Sequence, residues 1–302
     1  MERVSGAVER FDRAALLLPH NLRDRARELK REERASCEEF RLRLGYPASV
    51  VMPEGERSMG GDPVTKRELG FVLEAATGAS VHSASSRLAE GFITAKGGFR
   101  VGLCGAVGLS GGEPGGFTSV SSAAIRISRE HKGACVPIID SVYSGGEVRS
   151  TLIISPPGGG KTTLLRDLVR YISDAAGGPR VGLCDERSEI AAFFEGEPTM
   201  DVGRRTDVLD GCPKARAVSM LLRSMNPGVI AIDEITAEED AEAMTRAAHC
   251  GVKLIATAHA ASRTELAERP IYRALLASGV FEELIIIRKL GGRRSYLREA
   301  ML

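Results

Sequence analysis

At 302 residues the chain is long enough for about two domains, and 43% hydrophobic with 27% charged residues is ordinary for a folded globular protein. A net charge of +1, 5% aromatics and no tryptophan argue against recruitment of nucleic acid or anionic membrane by charge or by stacking. Charges at Glu2, Arg3, Glu9 and Arg10 argue against a signal peptide, and no apolar run approaches the roughly 20 residues of a membrane span.

In the first half, Val8, Phe11, Ala15 and Leu18 recur at helical spacing, Pro19 stops that helix, and Asn21 is placed to cap a second one through about Ala35. Residues 23–34 are dense in charges of both signs, which reads as a solvated helix face. Phe40, Leu42 and Leu44 alternate with Arg41 and Arg43 as a half-buried strand, and 50–52 suggest another. Thr65 with Glu68 forms a capping box that opens a helix to about Ala76, with Gly78 just past its end. Residues 80–90 read as a further helix. The runs 91–94 and 99–103 flank a Gly97-Gly98 turn and predict a hairpin. The stretch 108–116 holds five glycines and a proline and reads as a loop. Residues 119–128 alternate again, 137–143 read as a short helix, and Gly145-Gly146 reads as a hinge. The expected division is therefore a small α/β domain over 1–147 and a second domain over 148–302.

The second half alternates strand and helix. Strands are expected at 151–155, 181–185, 229–233, 253–258 and 283–288, and helices near 161–175, 213–225 and 238–250. That order predicts an α/β fold with a mostly parallel, RecA-like sheet. The chain should close in a hairpin, 281–290 with 294–300, around Gly291-Gly292.

The chemistry concentrates at strand ends. After the apolar run 152–154 come Ser155, Pro156, Pro157, Gly158, Gly159, Gly160, Lys161, Thr162 and Thr163. Strand, glycine-rich turn and helix is the context of a phosphate-binding loop. Its backbone N–H groups and helix N-terminus face an anion, Lys161 meets the β- and γ-phosphates, and the Thr162 hydroxyl ligates Mg²⁺. Ser155 stands where the usual pattern has its first glycine. Asp233 and Glu234 end the strand 229–232. Asp233 fits as an outer holder of Mg²⁺ beside Thr162, and Glu234 as the base that aligns the attacking water. The strand 254–258 ends at His259, which fits a γ-phosphate sensor or a structural histidine. Asp185 and Glu186 end the strand 181–185 and either order water around a nucleotide or pair with Arg187. Residues 201–210, with Arg204 and Arg205, read as a loop that reaches the site.

These four motifs, in this order, resemble the secretion-type ATPases of type II and type IV secretion and pilus assembly. The closer resemblance is to the stage III sporulation AA family of endospore-forming bacteria. It is carried by 91–94, 99–105, 153–167, 185–191, 205–215 and 223–227, and Ser155 is usual there. The resemblance implies an Mg²⁺-dependent ATPase of the mother-cell cytoplasm that forms a homo-oligomeric ring, expected hexameric. It also implies docking on membrane-embedded channel proteins between mother cell and forespore. It suggests that an arginine completes the site. Arg126, Arg204 and Arg205 are the candidates, with Arg126 equally readable as an exposed strand residue. Two other classes remain open: a single-strand nucleic-acid-binding ATPase, and a nucleotide-regulated scaffold with little hydrolysis. A small-molecule kinase fits less well, because no lid or acceptor pocket is readable.

Overall fold

A computed structural model describes residues 2–78, 91–110, 113–290 and 293–301. The expected helix at 80–90 and the Gly291-Gly292 turn lie outside them. The chain divides into two compact units, 1–129 with 192–199, and 130–191 with 200–302.

The first unit begins with α1 (Glu2–Ala15), α2 (His20–Arg27) and α3 (Arg31–Ser36). The single helix expected through Ala35 is thus two. Glu28 ends the first, and the second restarts at Lys30, whose backbone N–H donates to Glu33 at 2.8 Å. Strands β1 (Glu39–Arg43), β2 (Ser49–Met52) and β3 (Gly55–Ser58) follow, then α4 (Lys66–Thr77). Thr65 caps α4 as expected, accepting the Glu68 N–H while Glu68 accepts from the Thr65 backbone. Strands β4 (Phe92–Ala95), β5 (Phe99–Ser110) and β6 (Glu113–Arg126) complete an antiparallel sheet in the order β3-β2-β1-β6-β5-β4. Of the glycine-rich stretch expected as a loop, 108–110 and 113–116 are instead taken into β5 and β6, and Gly111-Gly112 lie outside the described residues. Small residues fit there because the hairpin ladder shifts register three times along its length. Phe11, Phe40, Phe99 and Ile125 fill the core between sheet and helices, with the Phe11 and Phe40 rings 4.9 Å apart.

The second unit carries α5 (Ile139–Val142), then β7 (Tyr143–Ser144) and β8 (Glu147–Val148). Those two short strands correct the hinge reading of Gly145-Gly146. Both glycines have positive φ, 62° and 87°, as the two central residues of a tight hairpin turn require. The units also part at 129/130, earlier than the expected boundary near 148. Segment 130–150 packs on the second unit: the Cys135 N–H donates to Asp167 at 2.9 Å, and the Ser150 carbonyl takes the Glu282 and Glu283 N–H groups.

The central sheet of this unit contains β9 (Thr151–Ser155), β10 (Val181–Asp185), β13 (Thr206–Asp210), β14 (Val229–Ile232), β15 (Lys253–His259), β16 (Glu283–Leu290) and β17 (Arg293–Ala300). The order is β13-β10-β14-β15-β9-β16-β17, parallel except for the last pair. Between β10 and β13, the two-residue strands β11 (Phe193–Phe194) and β12 (Glu197–Pro198) form a hairpin that belongs to the first unit. Helices α6 (Lys161–Asp174), α7 (Lys214–Ser224), α8 (Glu238–His249), α9 (Arg263–Glu268) and α10 (Pro270–Ala277) join the strands. Leu152, Ile153 and Ile154 are fully buried, each burial contributing about 1.5–3 kcal/mol. Strand β13 corrects the loop expected over 201–210. Only Val208 and Leu209 are apolar there, and a half-buried edge strand needs no more. Among the described residues no helix is long and apolar enough to cross a membrane.

Candidate active site

The site forms where β9, β14 and β15 end side by side. The sheet order places β15 between the other two, with His259 beside Ser155 in register, so three polar strand tips share one edge.

The turn 156–160 leads into α6. Gly160 sits at φ 100°, a conformation an L side chain rarely adopts. A Cβ there would also meet the Arg294 guanidinium at 2.8 Å. Ser155 is fully buried, and a Cβ at Gly159 would lie 2.2 Å from its hydroxyl. The serine that replaces the usual first glycine is thus matched by a glycine four residues on.

Lys161 is 6% exposed. Its ammonium donates to the Ser155 carbonyl at 3.2 Å and to His259 Nδ1 at 2.8 Å. An ammonium has only donors, so Nδ1 accepts, and the remaining ring proton sits on Nε2. That nitrogen faces Glu234 Oε1 at 3.2 Å. Lys161, His259 and Glu234 therefore form one chain. Burial pulls the lysine below its ordinary pKa, opposed by Asp233 and Glu234.

Thr162 Oγ1 donates to Asp233 Oδ2 at 3.0 Å, and Thr257 Oγ1 donates to Asp233 Oδ1 at 2.7 Å. A hydroxyl and a carboxylate in contact at a helix N-terminus are the hard oxygen donors Mg²⁺ prefers when phosphate and water supply the rest. No group of three or more His, Cys, Asp or Glu able to hold a metal occurs among the described residues. As two adjacent oxygen donors, Thr162 and Asp233 fit a phosphate-borne Mg²⁺.

Glu234 sits at φ 50°. Its N–H donates to Thr257 Oγ1 at 2.8 Å, the next N–H, of Ile235, donates to the Thr257 carbonyl at 3.0 Å, and Tyr272 donates to the Ile235 carbonyl at 2.5 Å. A strained turn persists where its surroundings over-determine it. The turn aims the carboxylate into a cleft lined by Asp185, Glu186, Arg187, Glu189, Lys214 and Asp233.

Asp185 and Glu186 differ in kind. Asp185 is 1% exposed. Its two oxygens accept the N–H groups of Glu189, Ile190 and Ala191 at 2.8–3.0 Å, which folds the following loop. Burial pushes its carboxyl up to about 6 against those donors. Glu186 faces the cleft and pairs with Lys214. The alternative pairing of these acids with Arg187 is not formed; Arg187 approaches Glu234 instead, at 3.6 Å.

Two of the candidate arginines, Arg204 and Arg205, lie away from these strand ends. Arg204 binds Asp174 through its backbone N–H at 2.9 Å and through Nε at 3.3 Å. Arg205 donates to the carbonyls of Gly178 and Ala175. Both sit at the C-terminal end of α6, roughly 20 Å from Lys161 by helical rise. They do not reach this chain's own phosphate loop, because segment 201–205 runs under the N-terminal edge of the sheet into β13. Arg126 belongs to the first unit, where it ends β6 and pairs with Glu39 at 3.4 Å. The structure brings two other arginines to the motifs, Arg187 at Glu234 and Arg294, whose Nε donates to the Gly159 carbonyl at 3.1 Å. Arg294 carries no sequence signal, and the motif that holds Arg187 suggests a different partner for it, Asp185 or Glu186. Each is recruited across a gap that only the folded sheet closes.

A buried lysine, a Thr–Asp pair and a cleft-facing glutamate meet at one edge of a RecA-like sheet, and that fold is shared with solved secretion-type ATPases. The solved Legionella pneumophila ATPase DotB matches with a TM-score of 0.58 and 16% identity, over 87% of this chain and 76% of that one. The pilus retraction motor PilT, solved with ADP, matches with a TM-score of 0.61 and 16% identity, over 87% and 78%. A family model of sporulation stage III, protein AA matches residues 10–295. Stage III sporulation protein AA of Bacillus subtilis (strain 168) is 34% identical over 287 residues, 92% of this chain and 91% of that protein. The chain belongs to the sporulation stage III, protein AA family. A shorter likeness, 32% over half the chain, links it to Protein SEEDLING PLASTID DEVELOPMENT 1 of Arabidopsis thaliana.

Proposed function

We propose that the protein is an Mg²⁺-dependent ATPase, the ring-forming motor of a secretion-like channel between mother cell and forespore. It would work from the mother-cell cytoplasm against membrane-embedded channel proteins. The observation that carries the reading is the convergence of Lys161, the Thr162–Asp233 pair and Glu234 at one sheet edge. Lys161 and the backbone of 158–162 would bind the β- and γ-phosphates. Thr162 and Asp233 would hold Mg²⁺, which neutralises charge on the transferring phosphoryl group. Glu234 would align the attacking water and take its proton, and His259 would report the γ-phosphate to Lys161 and Glu234. Family membership supports the sporulation setting, and the DotB and PilT likenesses support the motor fold.

The test is a pair of measurements. Bound ligand stabilises the native state by about 2.7 kcal/mol at 100 times Kd, so Mg-ATP should raise the Tm of the wild type and leave Lys161→Ala unmoved. Glu234→Gln should keep the shift but release phosphate about 10²–10⁴-fold more slowly. Equal shifts for wild type and Lys161→Ala would remove the lysine from the site. Binding without phosphate release by the wild type would favour the nucleotide-regulated scaffold. A mobility shift with single-stranded oligonucleotides would favour the nucleic-acid-binding class, against which the +1 net charge stands.

A further inference from the structure

Lys214 is in the wrong place for a lysine on two counts. It is the first residue of α7, where the helix dipole disfavours a cation. It is also 6% exposed, and a buried ammonium is costly unless paired. Its surroundings supply the compensation. Nζ donates to Glu186 and to Thr236 Oγ1 at 3.4 Å, and lies 3.9 Å from Asp240.

Those three partners come from separate elements. Glu186 follows the end of β10. Thr236 lies two residues beyond Glu234. Asp240 is in the first turn of α8, 6% exposed, and accepts the Thr236 and Ala237 N–H groups at 3.2 and 3.1 Å. One cation thereby joins the acidic loop after β10 to the turn that presents Glu234. Lys214 and Glu186 also line the cleft into which Glu234 projects. A surface lysine in the same position would save the desolvation cost and lose the bridge.

We propose that Lys214 is a positioning residue for the ATPase reaction. It holds Glu186 at the cleft wall and braces the Thr236–Asp240 end of the turn that carries Glu234, without touching nucleotide itself. Glu186 then orders water on the side of the cleft opposite His259, in a geometry that depends on the lysine. The inference rests on the ATPase reading of the site.

The experiment compares wild type, Lys214→Met, Lys214→Arg, Glu186→Gln and the double variant Lys214→Met/Glu186→Gln, with Glu234→Gln as control. Each is measured for kcat by phosphate release, for Kd of Mg-ADP by calorimetry, and for Tm. Lys214→Met should lower kcat about tenfold or more with the Mg-ADP Kd within twofold of wild type, and Lys214→Arg should recover part of the loss. Removing one charge of a buried pair destabilises more than removing both. The double variant should therefore regain Tm over Lys214→Met, yet keep a kcat within about twofold of the slower single variant, because the two changes break one unit. A kcat that returns with Tm in the double variant would make the lysine merely structural and overturn the proposal. So would a wild-type kcat in folded Lys214→Met, or a loss shared with Mg-ADP affinity. Wild type that binds Mg-ADP but turns nothing over, or Glu234→Gln that turns over normally, would sink the underlying reading, and the positioning role with it. Wild-type turnover with normal Lys214→Met kinetics would sink the positioning role alone.

Discussion

Asp185 shows how a residue picked out by motif can have a different task once its neighbours are known. A carboxylate at a strand tip suggests water chemistry, but both oxygens are spent on the backbone of 189–191. Burial lifts its carboxyl to about 6 from an ordinary 3.8. A carboxyl raised on folding contributes stability that is complete below about 4 and lost as pH rises through about 6. Protonation nevertheless weakens its hold on three N–H groups and loosens the loop that ends at the cleft. Turnover should thus fall as pH drops through about 6, with no loss of Tm from this group in that window. Asp185→Asn, which puts an amide N–H₂ against those donors, should be slow at every pH and lack the inflection near 6. An inflection that survives in Asp185→Asn would assign it to another group. Lys161, Thr162, Asp233 and Glu234 were legible because each is tied by spacing to a strand end. Lys214, Arg187 and Arg294 were not. Their roles exist only across 28, 47 and 135 residues of chain, to Glu186, Glu234 and Gly159 respectively, and no local pattern marks such a pair.

At the level of elements, long apolar strands and well-capped helices were readable, and short or edge elements were not. Strand β13 carries acids at Asp207 and Asp210, which suits an edge but reads as loop. The Gly145-Gly146 turn bears the same signal as Gly97-Gly98, and only its flanking residues, too few to show alternation, concealed the hairpin. The end of α6 offers a prediction at this scale. Arg205 bonds two carbonyls beyond the helix, at Gly178 and Ala175. Arg205→Ala should lower stability by about 1 kcal/mol and leave Mg-ADP affinity unchanged. Loss of turnover at unchanged Tm and unchanged affinity would instead return Arg205 to a catalytic part, supplied to a neighbouring subunit.

For the whole molecule, the fold class and the family were readable from the order of four motifs, while the division of the chain was not. The first unit takes back residues 192–199 from the middle of the second, and an excursion of that kind leaves no compositional trace. Assembly carries the last prediction. A motor whose site is completed between subunits should have a rate per subunit that rises with protein concentration as rings form. Phosphate release over a hundredfold dilution series, followed with sedimentation, tests this. A flat rate per subunit across the range in which the sedimenting species changes would mean that each chain closes its own site.

The polypeptide passes between the two units three times, and each passage is moored to α6 on the second unit's side. Asp167 holds the Cys135 N–H soon after the first passage. Arg166 grips the carbonyls of Glu189 and Ile190, at 2.6 Å each, just before the second. Ser173 and Asp174 take the N–H groups of Arg205 and Arg204 soon after the third, at 2.7 and 2.9 Å. The helix whose first turn carries Lys161 and Thr162 is thus also the capstan around which every connecting line is wound. A displacement of that helix by even a fraction of its 1.5 Å rise per residue would tug all three lines together. On the ATPase reading proposed above, force drawn from the nucleotide would then leave the second unit through a single rigid part.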